Sequence, residues 1–313
     1  MQRSRFLKTL LLALAPLQLL SAATVDALGS VQSNFKRIYS DSVLKSEFHK
    51  FIQNVFHLYP TDKMDALISE VTASHGTDEE IFRETQARLS SIEPWFPELT
   101  YQLPALFKQK EEMAQQAVAL LGKESTYNGY LEIGSSGRYL DYLEERCTIT
   151  GPRYYADGKE PGYAITEMVD RGQITIGAKY LPLADYHTKY AELIPNESLD
   201  LVTNYIGFHH CPLHLRVPFI SSIRDTLRVG GKLVLRDHDC HDADQMTLVA
   251  LAHDVFNMGT KESWDYNHKE VRNFYSLAFI IEFVEGIGFR YNGKSMFQKG
   301  DPTKNALMLF TKV

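Results

Sequence analysis

Residues 130–137 read Tyr130-Leu131-Glu132-Ile133-Gly134-Ser135-Ser136-Gly137. A short apolar run that ends in glycine and serine predicts a buried strand that turns into a helix opening near Gly137. Small residues at such a strand end let a bulky ligand come close to the backbone. Backbone N–H groups at the helix start can then face a negative group such as a carboxylate. The run is not a full GxGxxG. Ser136 holds the middle glycine position and Tyr139 the last, so a dinucleotide fingerprint is incomplete.

Downstream, short apolar runs alternate with helical patterns, which is the mark of βαβ units and a mostly parallel sheet. Strands are expected at 130–134, 153–157, 173–177, 199–205 and 232–237. A helix from Pro218 to Leu227 leads into the turn Val229-Gly230-Gly231. A helical insertion is expected near 243–258 and a helix from Phe274 to Gly286. Strands Phe289 to Met296 and Ala306 to Thr311 have only a polar turn between them, so they should form a hairpin with one member antiparallel to the rest. Asp157 closes the second run, 23 residues beyond Gly134. An acid near that spacing accepts hydrogen bonds from ribose hydroxyls. The simpler alternative is a solvated acid at a strand end.

Upstream, residues 30–122 carry apolar residues at helical spacing. One stretch runs from Phe35 to Phe56 and stops at Tyr59-Pro60. The next carries Met64, Leu67, Ile68 and Val71, with Thr61 or Asp62 as its cap. A third spans Ile81 to Ile92, and a fourth spans Ala105 to Leu121 with Gly122 as its stop. Ordinary helical packing explains most of these residues. As a covering region, however, they would place Phe107, Lys108 and Lys110 within reach of the first strand's end. Residues 1–23 begin with Arg3, Arg5 and Lys8, continue as an apolar run from Leu10 to Leu20, and close on Ser21-Ala22-Ala23. That pattern predicts a signal peptide cut after Ala23 and export to a periplasm or the exterior. The alternative is an uncleaved anchor with the rest on the cytosolic face and membrane association through 1–23. The expected organisation is thus 1–23, then 24–125, then 126–313.

The chain has 313 residues, 44% hydrophobic and 23% charged, with net charge −6. Such a composition excludes whole-chain disorder, a collagen and a polytopic membrane protein. The acidic balance argues against a general nucleic-acid binder. Three cysteines, Cys147, Cys211 and Cys240, are too few for a disulfide framework, and none forms a CxxC pair.

Residues 126–313 resemble a class I S-adenosylmethionine-dependent methyltransferase of the small-molecule, type 11-like kind. Five segments carry the likeness in order: Leu131 to Gly137, Asp157, Ile176 to Asp185, Asn196 to Val202, and Ile223 to Leu235 with its Val229-Gly230-Gly231 turn. The closing helix, Gly288-Phe289 and the hairpin fit as well. The resemblance implies an α/β fold: a Rossmann-like seven-stranded, mostly parallel sheet with an antiparallel last strand, preceded here by an N-terminal helical region. It implies S-adenosyl-L-methionine as cofactor. Gly134, Ser135 and Gly137 would lie against the methionine part, and Glu132 would orient that loop or meet the amino group. Asp157 would hold the ribose. The adenine position falls on Gly177 or Ala178, which offer no acid, so backbone would serve or the contact is lost. Asn204 and Tyr205 would sit beside the transferred methyl.

The acceptor side rests on residue chemistry. His209-His210-Cys211 and His214 follow the fourth strand, and Asp237-His238-Asp239-Cys240-His241 closes the fifth. Open α/β sheets bind ligands at these ends. Methyl transfer needs in-line positioning and sometimes a base, and neutral histidine suits that task. The candidates are His210 and His238, with Asp237 or Asp239 orienting one of them. These histidines also make sense as strand-end caps that bind substrate only. The spacing matches no standard zinc pattern, so no metal is expected. Small-molecule methyl transfer to oxygen, nitrogen or sulfur is the first reading. A non-catalytic relative that binds a ligand or partner is the second, supported by the missing adenine acid and by export away from a cytosolic cofactor. An NAD-dependent oxidoreductase is the third, disfavoured by the glycine pattern.

Overall fold

A computed structural model describes residues 33–93, 103–122, 126–164, 168, 172–173 and 176–313. Ser33–Val313 form one compact unit. The expected leader at 1–23 lies outside the described residues, as do Ile174 and Thr175 of the expected third strand. Among the described residues no helix is long and apolar enough to cross a membrane.

The apolar runs become strands β1 (Thr126–Ile133), β2 (Thr148–Asp157), β3 (Lys179–Pro182), β4 (Leu199–Asn204), β5 (Leu227–His238), β6 (Phe289–Phe297) and β7 (Asn305–Lys312). They make one seven-stranded sheet in the order β3-β2-β1-β4-β5-β7-β6. The four pairings that link β3 to β5 through β2, β1 and β4 are parallel, and β7 runs antiparallel to both β5 and β6. The fold is therefore the Rossmann-like methyltransferase sheet that the sequence implied, hairpin included. Its order reverses direction between β1 and β4, which opens a crevice at their carboxyl ends.

Three elements depart from the sequence reading. The third strand is Lys179–Pro182, pairing Tyr154 with Lys179 through Asp157 with Pro182. The expected strand 173–177 therefore lies ahead of it, and Ala178 precedes β3 instead of following it. β3 sits at the sheet edge and carries mixed polarity, so little in its residues marks it as a strand. Second, the helix after β1 is α6 (Leu140–Glu144), which starts at Leu140 and not near Gly137. Gly134, Ser136 and Gly137 all have positive φ, of +78°, +54° and +71°, which a right-handed helix cannot contain. Third, the Val229-Gly230-Gly231 turn lies within β5. β4 pairs Leu199 with Leu227 and then Leu201 with Lys232, so residues 228–231 loop out of register.

Upstream stand α1 (Asn34–Ser40), α2 (Ser42–Phe51), a wide turn over Ile52–Phe56, α3 (Thr61–Ser74), α4 (Asp78–Arg88) and α5 (Leu103–Leu121). Thr77 and Glu80 close α4 with a reciprocal capping box. α3 has Pro60 at its cap position and no side-chain cap, so neither Thr61 nor Asp62 plays that part. Beyond β3 come α7 (Tyr190–Leu193), α8 (Arg216–Thr226), α9 (Ala243–Gly259), α10 (Trp264–Lys269) and α11 (Leu277–Glu285). α11 opens at Leu277 because Ser276 caps it.

Burial is divided among three cores. One sheet face buries Ile133, Val202 and Leu235 against Phe219 of α8 and Ile280 of α11. The other buries Tyr130, Leu201 and Val234 against Met113 and Leu120 of α5. A third core joins Phe35, Phe48, Phe56 and Phe82 of the upstream helices to Leu251, Val255 and Met258 of α9. α9 thus belongs to the helical region's core while it flanks the sheet's carboxyl edge.

Candidate active site

A cleft of about 780 Å³ opens at the carboxyl ends of β1, β2 and β5, within the size range of small-molecule sites. Its sheet wall carries the loop Gly134, Ser135, Ser136, Arg138 and Tyr139, then Asp157, Tyr205 and Arg236. The facing wall comes from the helical region and α9, through His57, Tyr59, Lys108, Phe256 and Lys261.

The loop after β1 is held from below. Glu132 is buried, and its carboxylate accepts from Tyr130 Oη (3.1 Å), from Ser135 Oγ and from the Tyr139 backbone N–H (3.2 Å). Glu132 is therefore the residue that orients the loop. Burial outweighs these donors and pushes its pKa up to about 7. The linkage follows. An acid whose native pKa is raised binds more protons folded than unfolded between its ordinary value and about 7, so stability falls as pH rises through that window. We expect the fall to amount to about 3 kcal/mol at most. Urea unfolding of wild type and Glu132→Gln from pH 5 to 8 checks this. The difference between the two curves should slope across the window and flatten above it.

At the end of β2, Asp157 accepts from Ser136 Oγ and from the Gly158 N–H (2.8 Å). A carboxylate has further lone pairs for ribose hydroxyls. Arg138 lines the cleft, and its buried Nε has no partner within the protein. Tyr205 packs edge-on to Tyr139, with ring centroids 4.6 Å apart. Strand alternation separates Asn204 from Tyr205: Tyr205 lines the cleft, whereas Asn204 is buried and both polar atoms of its amide are unpartnered. Gly137 does not line the cleft; it supplies the loop's last positive φ. Ala178, placed before β3, packs against the core of Tyr130 and Leu201 and does not line the cleft. Of the three upstream candidates, Lys108 faces the cleft and Phe107 is exposed. Lys110 is fully buried, paired with Asp141 at 2.8 Å beneath the Tyr142 ring.

The acceptor-side residues do converge, with different partners from those expected. Asp237 accepts at 2.7 Å from Nδ1 of His209 and at 2.8 Å from its backbone N–H. It orients His209, not His210, and touches His238 only through that residue's backbone N–H at 2.7 Å. Asp239 caps α11 through the Leu277 N–H and orients no ring of the cluster. His209 lies over Gly207, where a Cβ would stand 2.5 Å from the ring Nδ1. His253 of α9 faces His209, their Nε2 atoms 3.0 Å apart. His210 and His238 rings lie 4.1 and 5.2 Å from that of His209. Burial drives His209 and His253 well below the ordinary imidazole value and His238 down to about 4, so the rings are neutral at pH 7. Burial also raises Asp237 to about 6. His214 is elsewhere, against His187.

Sequence reading missed His253 because it sits on the apolar side of a helix, between Ala252 and Asp254, where packing accounts for the pattern. The three thiols are buried and unpaired, and desolvation pushes Cys211 and Cys240 to about 12, which removes thiolate chemistry at neutral pH.

No protein-family model matches the chain, and no curated protein does. Among solved structures, a SAM-dependent methyltransferase from Aquifex aeolicus is similar at 15% identity and TM-score 0.43, covering 67% of this chain and 98% of that one. The 1,6-didemethyltoxoflavin-N1-methyltransferase of Burkholderia thailandensis, solved with bound 1,6-didemethyltoxoflavin and S-adenosylhomocysteine, is similar at 12% identity and TM-score 0.43 over 81% and 90%. Mitomycin 7-O-methyltransferase MmcR is similar at 13% and 0.45 over 94% and 76%. At these identities the likeness concerns the path of the chain and says nothing of substrate.

Proposed function

We propose that this chain transfers a methyl group from S-adenosylmethionine to an oxygen, nitrogen or sulfur of a small molecule. The observation that carries the reading is the cleft at the β1 and β2 ends, where Asp157 and the unpartnered Arg138 Nε flank a loop of small residues. A carboxylate-and-hydroxyl ligand fits that set. Gly134 and Ser135 would support its methionine part, Arg138 would meet the carboxylate and Asp157 the ribose. When bound, the cofactor supplies an electrophilic methyl group. The cleft is bordered by both signs of charge, with Lys108 and Lys261 opposite the sheet wall, so the acceptor is polar.

The chain's own part is to place the acceptor and move its proton. Three segments each carry a cleft residue and a member of the histidine set: Tyr205 precedes His209, Arg236 precedes Asp237 and His238, and His253 precedes Phe256 by one turn. None of these histidines, nor Asp237, lines the cleft itself, so their part in handling the acceptor's proton is inferred from these neighbours along the chain. His238 donates Nδ1–H to the Thr303 carbonyl at 2.9 Å, which leaves Nε2 as the proton acceptor. His210 and Asp237 act as positioning residues.

Calorimetric titration of the full chain with S-adenosylmethionine, and separately with NAD, tests the reading. Saturable binding of the first and none of the second is expected. Asp157→Ala should weaken binding about 10- to 100-fold, the worth of hydrogen bonds to a charged group, with the melting temperature held. Absence of S-adenosylmethionine binding by wild type, or binding of NAD in its place, overturns the proposal.

A further inference from the structure

The hydrogen bonds of the histidine set determine where its protons sit. A carbonyl oxygen can only accept, so His253 Nδ1, 2.8 Å from Val249 O, carries hydrogen, and so does His210 Nδ1, 3.0 Å from Val271 O. His209 Nδ1 donates likewise to the Asp237 carboxylate. A neutral imidazole has one N–H, so all three rings present a bare Nε2. Two of these lone pairs, on His209 and His253, face each other across 3.0 Å with no hydrogen to share. The contact calls for an electron-pair acceptor between them. Two imidazole nitrogens about 2.1 Å from one tetrahedral metal ion stand about 3.4 Å apart, so the two rings need part by only about 0.4 Å to hold one. Ligand nitrogens of His209, His210 and His253 all lie within 4.8 Å of one another.

We infer that His209, His210 and His253 bind one divalent first-row transition ion, such as Zn(II) or Co(II), through their Nε2 atoms. Asp237 and the carbonyls of Val249 and Val271 fix the three rings, as outer partners of ligating histidines do. Asp237 also brings a buried negative charge to balance the ion. Glu270 Oε1 lies 3.7 Å from His210 Nδ1, on the side of the ring away from Nε2. Three protein ligands leave a position for an acceptor's oxygen or nitrogen, as in open catalytic sites. His238 is not in the ligand group; its ring packs 5.5 Å from that of His253 and stays available to take a proton. The site stands on the histidine geometry alone and does not depend on methyl transfer being the reaction.

The test uses the full chain without an affinity tag, stripped with chelator, dialysed and titrated with Co(II). One Co(II) per chain with a visible ligand-field absorption, displaced by Zn(II), is expected. His209→Gln and His253→Gln should each abolish the band, and Asp237→Asn should weaken Co(II) binding about 10- to 100-fold. His210→Ala, at a half-buried position, provides a variant that keeps the fold and should shift the band and its affinity. His214→Ala should change neither. No stoichiometric Co(II), or a band undiminished in the three ligand variants, overturns the site. S-adenosylmethionine titration of the same stripped protein reads the methyl-transfer proposal separately.

Discussion

Gly134→Val will cost about 3–4 kcal/mol of stability and, on the proposed function, remove S-adenosylmethionine binding with it. Gly134 has φ +78°, and any Cβ there would press on Ile206 Cβ, 2.5 Å from its Cγ2 and 2.9 Å from its backbone N. Left-handed backbone costs an L-residue about 1–2 kcal/mol, and overpacking a core adds about 1–3 kcal/mol. The strand end cannot retreat, because the Gly134 N–H donates to Ala156 O at 2.7 Å and Tyr205 N–H donates to Ile133 O at 2.9 Å. Gly177→Val is the matched control, since a Cβ there meets nothing within 4 Å and exposed changes usually stay within about 0.5 kcal/mol. Urea unfolding midpoints of the two variants decide the matter. Equal losses would show that the loop is not the constrained element.

Arg272→Met will destabilise the protein by about 3–5 kcal/mol, the cost of leaving one member of a buried pair alone. Arg272 donates to Asp254 Oδ1 (2.7 Å), Glu270 Oε2 (2.8 Å) and Asn267 Oδ1 (2.6 Å). Asn267 returns to Asp254 at 2.8 Å, and Asn257 joins Asn267 at 2.9 Å. Asp254 is buried, and desolvation already raises its pKa. Without the guanidinium its charge has only an amide for support. The double variant Arg272→Met with Asp254→Leu should recover most of the loss, because an apolar pair of similar volume does not strand a charge. A double-mutant cycle by chemical denaturation measures that coupling. The network also lies between His253, next to Asp254 on α9, and Val271, whose carbonyl holds His210.

The middle of the sheet was legible because β1, β4 and the second half of β5 are buried on both faces and therefore read as near-continuous apolar runs. Leu131, Ile133, Leu201, Val202, Leu233 and Leu235 announce three adjacent strands without help from the rest of the chain. The hairpin was legible from a polar turn too short to hold a crossover. β3 was not, because an edge strand needs few apolar residues, and Lys179-Tyr180-Leu181-Pro182 does not stand out from a loop. The start of α6 was missed because three positive φ angles, one of them at Ser136, leave little trace in residue type. Gly134, Ser135, Asp157 and Tyr205, which line the cleft, were singled out through their place at strand ends, where chain order and spatial order coincide. Arg138 was not, since an unpaired buried nitrogen is a property of surroundings. His209 and His210 are neighbours in sequence, and only the fold tells which of them Asp237 holds. His253 comes from another core altogether, and no local pattern ties it to β4.

The double membership of α9 bears on how this protein can change. Phe56 abuts Gly259 so closely that a Cβ there would lie 2.5 Å from the ring's Cζ, and the same helix delivers His253 two turns earlier. The upstream helices are therefore not an exchangeable cap. A chimaera that swapped residues 33–93 for another covering segment to alter acceptor choice would have to import a matching 243–259 as well, and would then inherit the donor's imidazole or lose one. The cover over the cleft and the imidazole of His253 are inherited together here, so descendants of this fold should vary the two as a block.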